Sequence, residues 1–76
     1  MLFKTISIIG LGYIGLPTAA IFASKQKKVI GVDTNHDINN IINSGKIHIN
    51  EPGLELLVKK SVINGFLKAT KTTEPA

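Results

Sequence analysis

Residues Thr5 to Asp33 read TISIIGLGYIGLPTAAIFASKQKKVIGVD, and this stretch decides the fold. It opens with an apolar run over Thr5 to Ile9 that stops at a glycine, which is typical of a parallel-sheet strand buried on both faces. It closes with a second apolar run, KVIGV, over Lys28 to Val32. Small alanines between the two runs favour a helix lying close to a sheet. The stretch therefore predicts a strand, a helix and a parallel second strand.

The intervening helix is expected over Ile14 to Ser24. Proline lacks the N–H that an internal helical bond requires, so Pro17 must lie in the first turn and the helix can begin no earlier than about Ile14. The residues expected to face the sheet are Ile14, Ala20, Ile21 and Ala23.

Three further elements are predicted after the second strand. They are a helix over Ile38 to Asn43 capped by Asp37 and ended by Gly45, a helix over Leu54 to Asn64 followed by Gly65 as a left-handed cap, and a third strand over Phe66 to Thr70. In the second of these helices, the apolar stripe is Leu54, Leu57, Val58 and Val62. This alternation of strands and helices indicates the α/β class.

The glycine turn, defined as Gly10 to Gly15, carries the complete pattern G-x-G-x-x-G between the first strand and the first helix. Gly10 permits the tight turn, Gly12 lets a pyrophosphate approach the backbone, and Gly15 allows close packing of helix and strand. The N–H groups of Tyr13 and Ile14 would meet the phosphates at the positive end of the helix dipole.

Asp33 strengthens this interpretation, because glycine triplets also arise from helix packing alone. It ends the second strand, close to the roughly 20-residue offset of the acid that binds the adenine ribose hydroxyls. The alternative is that Asp33 only caps a loop. Its carboxylate would repel a 2′-phosphate, and Thr34 and Asn35 after it include no arginine to hold one, which favours NAD over NADP. The predicted cofactor-binding residues are Gly10, Gly12, Tyr13, Ile14, Gly15 and Asp33.

These features predict a Rossmann-type doubly wound parallel sheet, truncated, with residues 1–76 as the N-terminal portion of an NAD-binding domain. The net charge of +4 comes from nine lysines spread along the chain without arginine, which argues against nucleic acid as a partner. No apolar stretch is long enough for a membrane span, so a soluble protein is expected, and the lack of cysteine fits a cytoplasmic location. The chain has no cysteine, and His48 lacks a partner at ligand spacing, so neither a metal site nor a thiol nucleophile is expected.

The segments IGLGYIGLPTAA, VIGVD and INSGKIHINEPGLELL resemble the N-terminus of the UDP-glucose/GDP-mannose dehydrogenase family, and the resemblance covers nearly the whole chain. It implies oxidation of the C6 alcohol of a nucleotide sugar to a uronic acid in two steps, with two NAD reduced and a covalent intermediate on a cysteine. In bacteria the product would enter surface polysaccharide. Carried over residue by residue, the predicted cofactor-binding positions match those that contact NAD in the family.

The family's cysteine nucleophile, its lysine and asparagine partners and its sugar-nucleotide domain have no counterpart in these residues, so no catalytic residue is predicted and the chain alone is not expected to turn over. Three alternatives stay open: a non-catalytic module that senses NAD, a dehydrogenase of the same family that acts on UDP-glucose, and a methyltransferase, which also places an acid after its second strand. A parallel sheet cut after three strands leaves an unpaired apolar edge, which predicts self-association.

Overall fold

The computed structural model describes residues 5–72. The elements follow the chain in the order β1 (Thr5–Ile9), α1 (Gly15–Ser24), β2 (Lys28–Val32), α2 (His36–Asn43), α3 (Leu54–Ile63) and β3 (Leu67–Thr70). This order confirms the predicted α/β class, and the bounds of β1 and β2 are as predicted. The last helix and the last strand are each one residue shorter than predicted.

The three strands form one parallel sheet in the order β1-β2-β3. In register, Ile6 pairs with Val29 and Val29 with Leu67, and these side chains share the face that packs against the helices. The opposite face carries more polar positions, including the exposed Thr5, Ser7 and Lys68. The helices therefore cover one side of the sheet, as two right-handed crossovers in the same direction require.

The prediction that β1 is buried on both faces is wrong. Its side chains alternate between exposed and half-buried, and Ile9 is 69% exposed. The reason is the position of β1 at an edge of the sheet, since among residues 5–72 it pairs with β2 alone and the helices cover only one of its faces. An apolar run shows that a strand can be buried on both faces. How much of it is buried depends on the strands and helices packed against it.

The first helix begins at Gly15, which agrees with the limit set by Pro17. Two of the residues expected to face the sheet, Ile14 and Ile21, are instead 83% and 51% exposed. The buried positions of α1 are Leu16, Ala19, Ala20 and Ala23. Small residues pack closest to the sheet because they let the helix axis approach it, and this leaves the larger isoleucines on the outer side.

The cap of α2 is Asn35, and the prediction of Asp37 in this role is wrong. The side-chain oxygen of Asn35 accepts from the N–H groups of Asp37 and Ile38, at 2.9 and 3.2 Å. Helix α2 consequently begins at His36, two residues earlier than predicted. Asp37 lies in the first turn, where its negative charge still favours the helix dipole. Gly45 and Gly65 have φ of +83° and +81°, which fits their predicted roles as helix stops.

The core is centred where α1 and the loop before it meet β2. The Leu11 side chain is fully buried and lies over Gly31 in the middle of β2. A Cβ at position 31 would come within 2.5 Å of a methyl carbon of Leu11. A glycine in this strand therefore makes room for the leucine of the glycine turn, which fixes the turn against the sheet. No helix among the described residues is long and apolar enough to cross a membrane.

The outer edge of β3 is bonded by a side chain from α2. The amide of Asn43 donates from Nδ2 to the carbonyl of Ala69 and accepts at Oδ1 from its N–H, both at 2.8 Å. These two bonds take the place of those that a neighbouring strand would make to Ala69. The open edge expected after three strands is therefore protected at Ala69, whereas the outer edge of β1 has neither a strand nor a side chain bonded to it among residues 5–72.

We expect Asn43→Ala to lower the free energy of unfolding by about 1–3 kcal/mol, because it leaves the N–H and carbonyl of the buried Ala69 unbonded. Asn40→Ala is the matched control on the same helix, since Asn40 is exposed and should change stability by less than about 0.5 kcal/mol. Urea unfolding followed by circular dichroism measures both. Equal effects of the two substitutions would contradict the role given to Asn43.

Candidate functional site: the glycine turn and Asp33

The glycine turn lies at the carboxyl end of the sheet, between β1 and α1. Gly10 leaves the strand with φ of +85°, a conformation that L side chains rarely adopt, and its N–H donates to the carbonyl of Val32 at 2.7 Å. This bond continues the pairing of β1 with β2 by one residue before the chain turns away. The predicted role of Gly10, a tight exit from the strand, agrees with this geometry.

Gly15 and Gly12 are glycines for different reasons. A Cβ on Gly15 would overlap the carbonyl oxygen of Gly10, so that the approach of α1 to the end of β1 excludes any side chain there. A Cβ on Gly12 would meet nothing within 4 Å, and the φ of Gly12 lies outside the left-handed region. Neither backbone conformation nor packing within residues 5–72 requires a glycine at position 12.

The start of α1 presents free N–H groups next to this open space. Within residues 5–72 the N–H groups of Gly12, Tyr13, Ile14 and Gly15 donate to no acceptor, and Ile14 at the N-cap provides no side-chain cap. The first turn of α1 contains no acidic residue. Free amides at the positive end of a helix dipole form a binding site for an anion, and phosphate is the anion that such turns most often bind.

Asp33 connects the glycine turn to the end of β2. Its Oδ2 accepts from the N–H of Leu11 at 3.0 Å, and its Oδ1 accepts from the N–H of Asn35 at 2.9 Å. The second bond is the loop cap that the sequence left open as an alternative. The first bond was not anticipated, and it places the carboxylate directly beside the glycine turn.

The charge and the hydrogen-bonding capacity of Asp33 suit a sugar diol. The N–H groups of Leu11 and Asn35 hold the pKa of the Asp33 carboxyl below its ordinary value of 3.8, while burial opposes them. The group is therefore a carboxylate at neutral pH. Each carboxylate oxygen accepts one bond here and has capacity for a second, so the pair of oxygens can accept from two neighbouring hydroxyls.

An open depression of about 540 Å³ lies on the other side of the turn, along β1 and the start of α1. Its wall includes Ile8, Gly12, Tyr13 and Ile14. Tyr13 is 72% exposed. Ile14, which was predicted to pack on the sheet, is also exposed at this surface. The turn thus has a carboxylate on one side and an apolar surface on the other.

Leu11 is a functional residue that the sequence patterns did not indicate. Its N–H holds Asp33, and its side chain holds the turn on Gly31. The glycine in VIGVD was the available signal, because a glycine inside a strand indicates close approach of another group. No group of three or more potential metal ligands is present among the described histidine and acidic residues.

Comparisons with known proteins agree on one family. Residues 4–76 match the family model described as the NAD binding domain of the UDP-glucose/GDP-mannose dehydrogenase family. A UDP-N-acetyl-D-mannosamine dehydrogenase of Campylobacter jejuni is 64% identical over 97% of this chain, and an NDP-N-acetyl-D-galactosaminuronic acid dehydrogenase of Ralstonia nicotianae is 57% identical over the same share. The chain spans 18% of the length of each.

A solved structure gives the same result for the fold. The UDP-N-acetyl-mannosamine dehydrogenase of Staphylococcus aureus superimposes with a TM-score of 0.90 at 39% identity, over 93% of this chain and 17% of the other. The prediction of a Rossmann-type α/β fold is confirmed, and so is NAD as the cofactor of the matched domain. The individual contacts of the six predicted cofactor-binding residues remain a prediction.

The two glycines of the turn provide a matched pair of substitutions. Gly12→Ala should leave the free energy of unfolding within about 0.5 kcal/mol of the original, because the added methyl group meets open space, but should abolish detectable NAD binding. Gly15→Ala should lower the free energy of unfolding by roughly 1–3 kcal/mol, because its methyl group overlaps Gly10. Urea unfolding and calorimetric NAD titration separate the effects. Undiminished binding by Gly12→Ala would refute the assignment of the turn.

Proposed function

We propose that this chain, which belongs to the UDP-glucose/GDP-mannose dehydrogenase family, supplies the NAD site of a nucleotide-sugar 6-dehydrogenase. The pyrophosphate of NAD binds the free amides that open α1, and the adenine ribose binds Asp33. The remainder of the cofactor crosses the glycine turn toward the apolar depression beside β1. The cofactor-binding residues are those predicted: Gly10, Gly12, Tyr13, Ile14, Gly15 and Asp33.

The observation that carries this proposal is the open space at Gly12. A glycine costs conformational entropy on folding, and it is used where the fold or a ligand requires it. Within the described chain the fold does not require it at position 12, whereas a diphosphate lying against the amides of the turn does. The absence of any arginine in the sequence, together with the negative charge of Asp33, favours NAD over NADP.

The proposed substrate is UDP-N-acetyl-D-mannosamine, oxidised at C6 to UDP-N-acetyl-D-mannosaminuronate for bacterial surface polysaccharide. Support comes from the Campylobacter jejuni relative and its 64% identity. A second candidate is an NDP-N-acetyl-galactosamine sugar, supported by the Ralstonia nicotianae relative at 57%. Both names contain an N-acetylated sugar, which favours that class over UDP-glucose. Since NAD and nucleotide sugars are cytoplasmic metabolites, the cytoplasm is the proposed location.

The catalytic half of the site is proposed to lie outside residues 1–76. These residues contain no cysteine, so they lack the thiol that a covalent aldehyde intermediate needs, and they correspond to 18% of the matched relatives. The chain binds cofactor in this proposal, and sugar binding and hydride transfer need further groups. Residues 1–76 alone should therefore not reduce NAD when a UDP-sugar is added.

Cofactor titration tests the proposal against the alternatives. At about ten times its dissociation constant, NAD should raise the free energy of unfolding by about 1.4 kcal/mol, which corresponds to several degrees in Tm for a chain of this size. NADP should stabilise less, because its 2′-phosphate meets the Asp33 carboxylate. S-adenosylmethionine carries the same ribose hydroxyls but no diphosphate for the free amides of the turn, so it should stabilise much less than NAD. Equal stabilisation by S-adenosylmethionine would favour a methyltransferase and contradict the proposal.

Self-association through β1 is a further part of the proposal. Its outer edge has no strand partner among residues 5–72, and the exposed Ile9 and Ile14 line the depression along this strand. We expect the average mass in sedimentation equilibrium to rise with concentration. Replacing Ser7 by proline, which removes a backbone donor from β1, should shift the protein toward monomer. A sharp melting transition of a monomer, independent of concentration, would contradict this expectation.

A further inference from the structure

Asn39 is a buried polar side chain on the inner face of α2, and it is bonded directly to Asp33. It is 5% exposed, and its Nδ2 donates to the backbone carbonyl of Asp33 at 2.8 Å. Its Oδ1 is shielded from solvent and accepts no bond. The atom that faces the carbonyl must be the nitrogen, because a carbonyl oxygen can only accept. The orientation of this amide is therefore set by its contact with Asp33.

The unbonded Oδ1 of Asn39 destabilises the fold, because a buried acceptor without a partner has lost its hydration. On the same helix, Ile42 is fully buried and Ile38 packs against the core, so the interior beside α2 is apolar. An apolar side chain at position 39 would avoid the loss of hydration at Oδ1. It would lack the donor to Asp33, and this bond therefore explains why the position holds an asparagine.

The bond from Asn39 fixes the backbone at the point where the chain leaves β2. The carbonyl of Asp33 belongs to the peptide group that joins it to Thr34, and this group is planar. A bond to the carbonyl therefore fixes the direction in which the chain continues to Asn35. The N–H of Asn35 donates to Oδ1 of Asp33 at 2.9 Å, which closes a tight turn between the side chain and the backbone two residues later.

Asn35 links this turn to the start of α2. Its side-chain oxygen accepts from the N–H groups of Asp37 and Ile38, and its backbone carbonyl accepts from the N–H of Asn39 at 3.2 Å. Residues 33–39 thus form a closed set of hydrogen bonds that starts and ends at Asp33. Within this set, the side chain of Asn39 connects the helix to the backbone of the residue proposed to bind the ribose.

Three separate elements hold Asp33. Its N–H donates to the carbonyl of Thr70 in β3 at 3.0 Å, and its carboxylate accepts from the N–H of Leu11 in the glycine turn. The third bond comes from Asn39 in α2 and holds the carbonyl. The remaining hydrogen-bonding capacity of the carboxylate therefore has a fixed direction before any ligand arrives.

We propose that Asn39 is a positioning residue for cofactor binding: by holding the backbone of Asp33, it fixes the carboxylate in the orientation that accepts from the ribose hydroxyls. This inference rests on the proposed NAD site. Asn39 acts without contacting the cofactor, since its side chain is buried. Its contribution is preorganisation, because a carboxylate that is already oriented loses less conformational freedom when two hydroxyls bind.

Two ligands that differ only in the ribose hydroxyls test this role: adenosine monophosphate and its 2′,3′-dideoxy analogue. Their affinities are measured by NMR titration for the original protein, Asn39→Leu and Asn43→Ala. Leucine has the same branched arrangement of side-chain atoms as asparagine but no donor. Asn39→Leu should weaken binding of adenosine monophosphate by about three- to tenfold, as expected for one hydrogen bond, and should change binding of the dideoxy analogue by less than about twofold.

Asn43→Ala is the matched control for an effect on stability alone. Asn43 is an asparagine on the same helix whose amide also bonds to a strand, but its partner is Ala69 in β3. This substitution should destabilise the fold without changing the ratio of the two affinities. If Asn39→Leu also leaves that ratio unchanged, by weakening both ligands equally or neither, the role of Asn39 is overturned.

The original protein provides a second measurement in case Asn39→Leu does not fold. The side-chain amide resonances of Asn39 should shift when adenosine monophosphate binds and not when the dideoxy analogue binds. Unshifted resonances, or equal shifts with both ligands, would overturn the proposal. If the original protein binds the two ligands equally, the proposed ribose site at Asp33 fails and the role of Asn39 fails with it. If the original protein distinguishes them and Asn39→Leu does so equally well, only the role of Asn39 fails.

Discussion

The hydrogen bond from the N–H of Leu11 to the carboxylate of Asp33 is the interaction on which the site depends. It joins the turn after β1 to the end of β2 and keeps the charged group beside the amides that open α1. Leu11 contributes a second contact through its buried side chain, which lies over Gly31. Because Leu11 is held by both its backbone and its side chain, the glycine turn is placed before any cofactor arrives, and the entropic cost of binding is lower.

Helices cover only one face of the sheet, and this determines which apolar residues are buried. Three short strands, covered by helices on one side, bury a core of mostly small and branched residues, while Ile9, Ile14 and Ile21 stay exposed. The edge of β3 is bonded by Asn43, and the edge of β1 is open. The two edges therefore differ in how many backbone N–H and C=O groups are free to bond another strand. The outer edge of β1, which lies next to the cofactor turn, is the edge through which self-association is proposed.

The sequence predicted the parts of the structure that depend on local chemistry. β1 and β2 were bounded correctly because Gly10 and Asp33 end apolar runs, and the glycine turn was located because each of its glycines has its own physical role. The errors concern features that depend on neighbours. Asn35 competes with Asp37 for the cap of α2, and only the path of the chain after Asp33 decides between them. The exposure of Ile14 follows from the approach of α1 through its alanines, and the bond between Leu11 and Asp33 joins residues far apart in sequence.

An NMR titration of the nitrogen-15-labelled chain with NAD tests directly whether the glycine turn binds the cofactor. If the pyrophosphate binds the turn, the largest changes in amide chemical shift will occur at Gly12, Tyr13, Ile14 and Gly15, whose N–H groups are free before binding. The amide of Leu11 will stay protected from hydrogen exchange, because its bond to Asp33 persists. Unchanged amides in the glycine turn at saturating NAD, with shifts concentrated elsewhere, would show that the cofactor does not bind there.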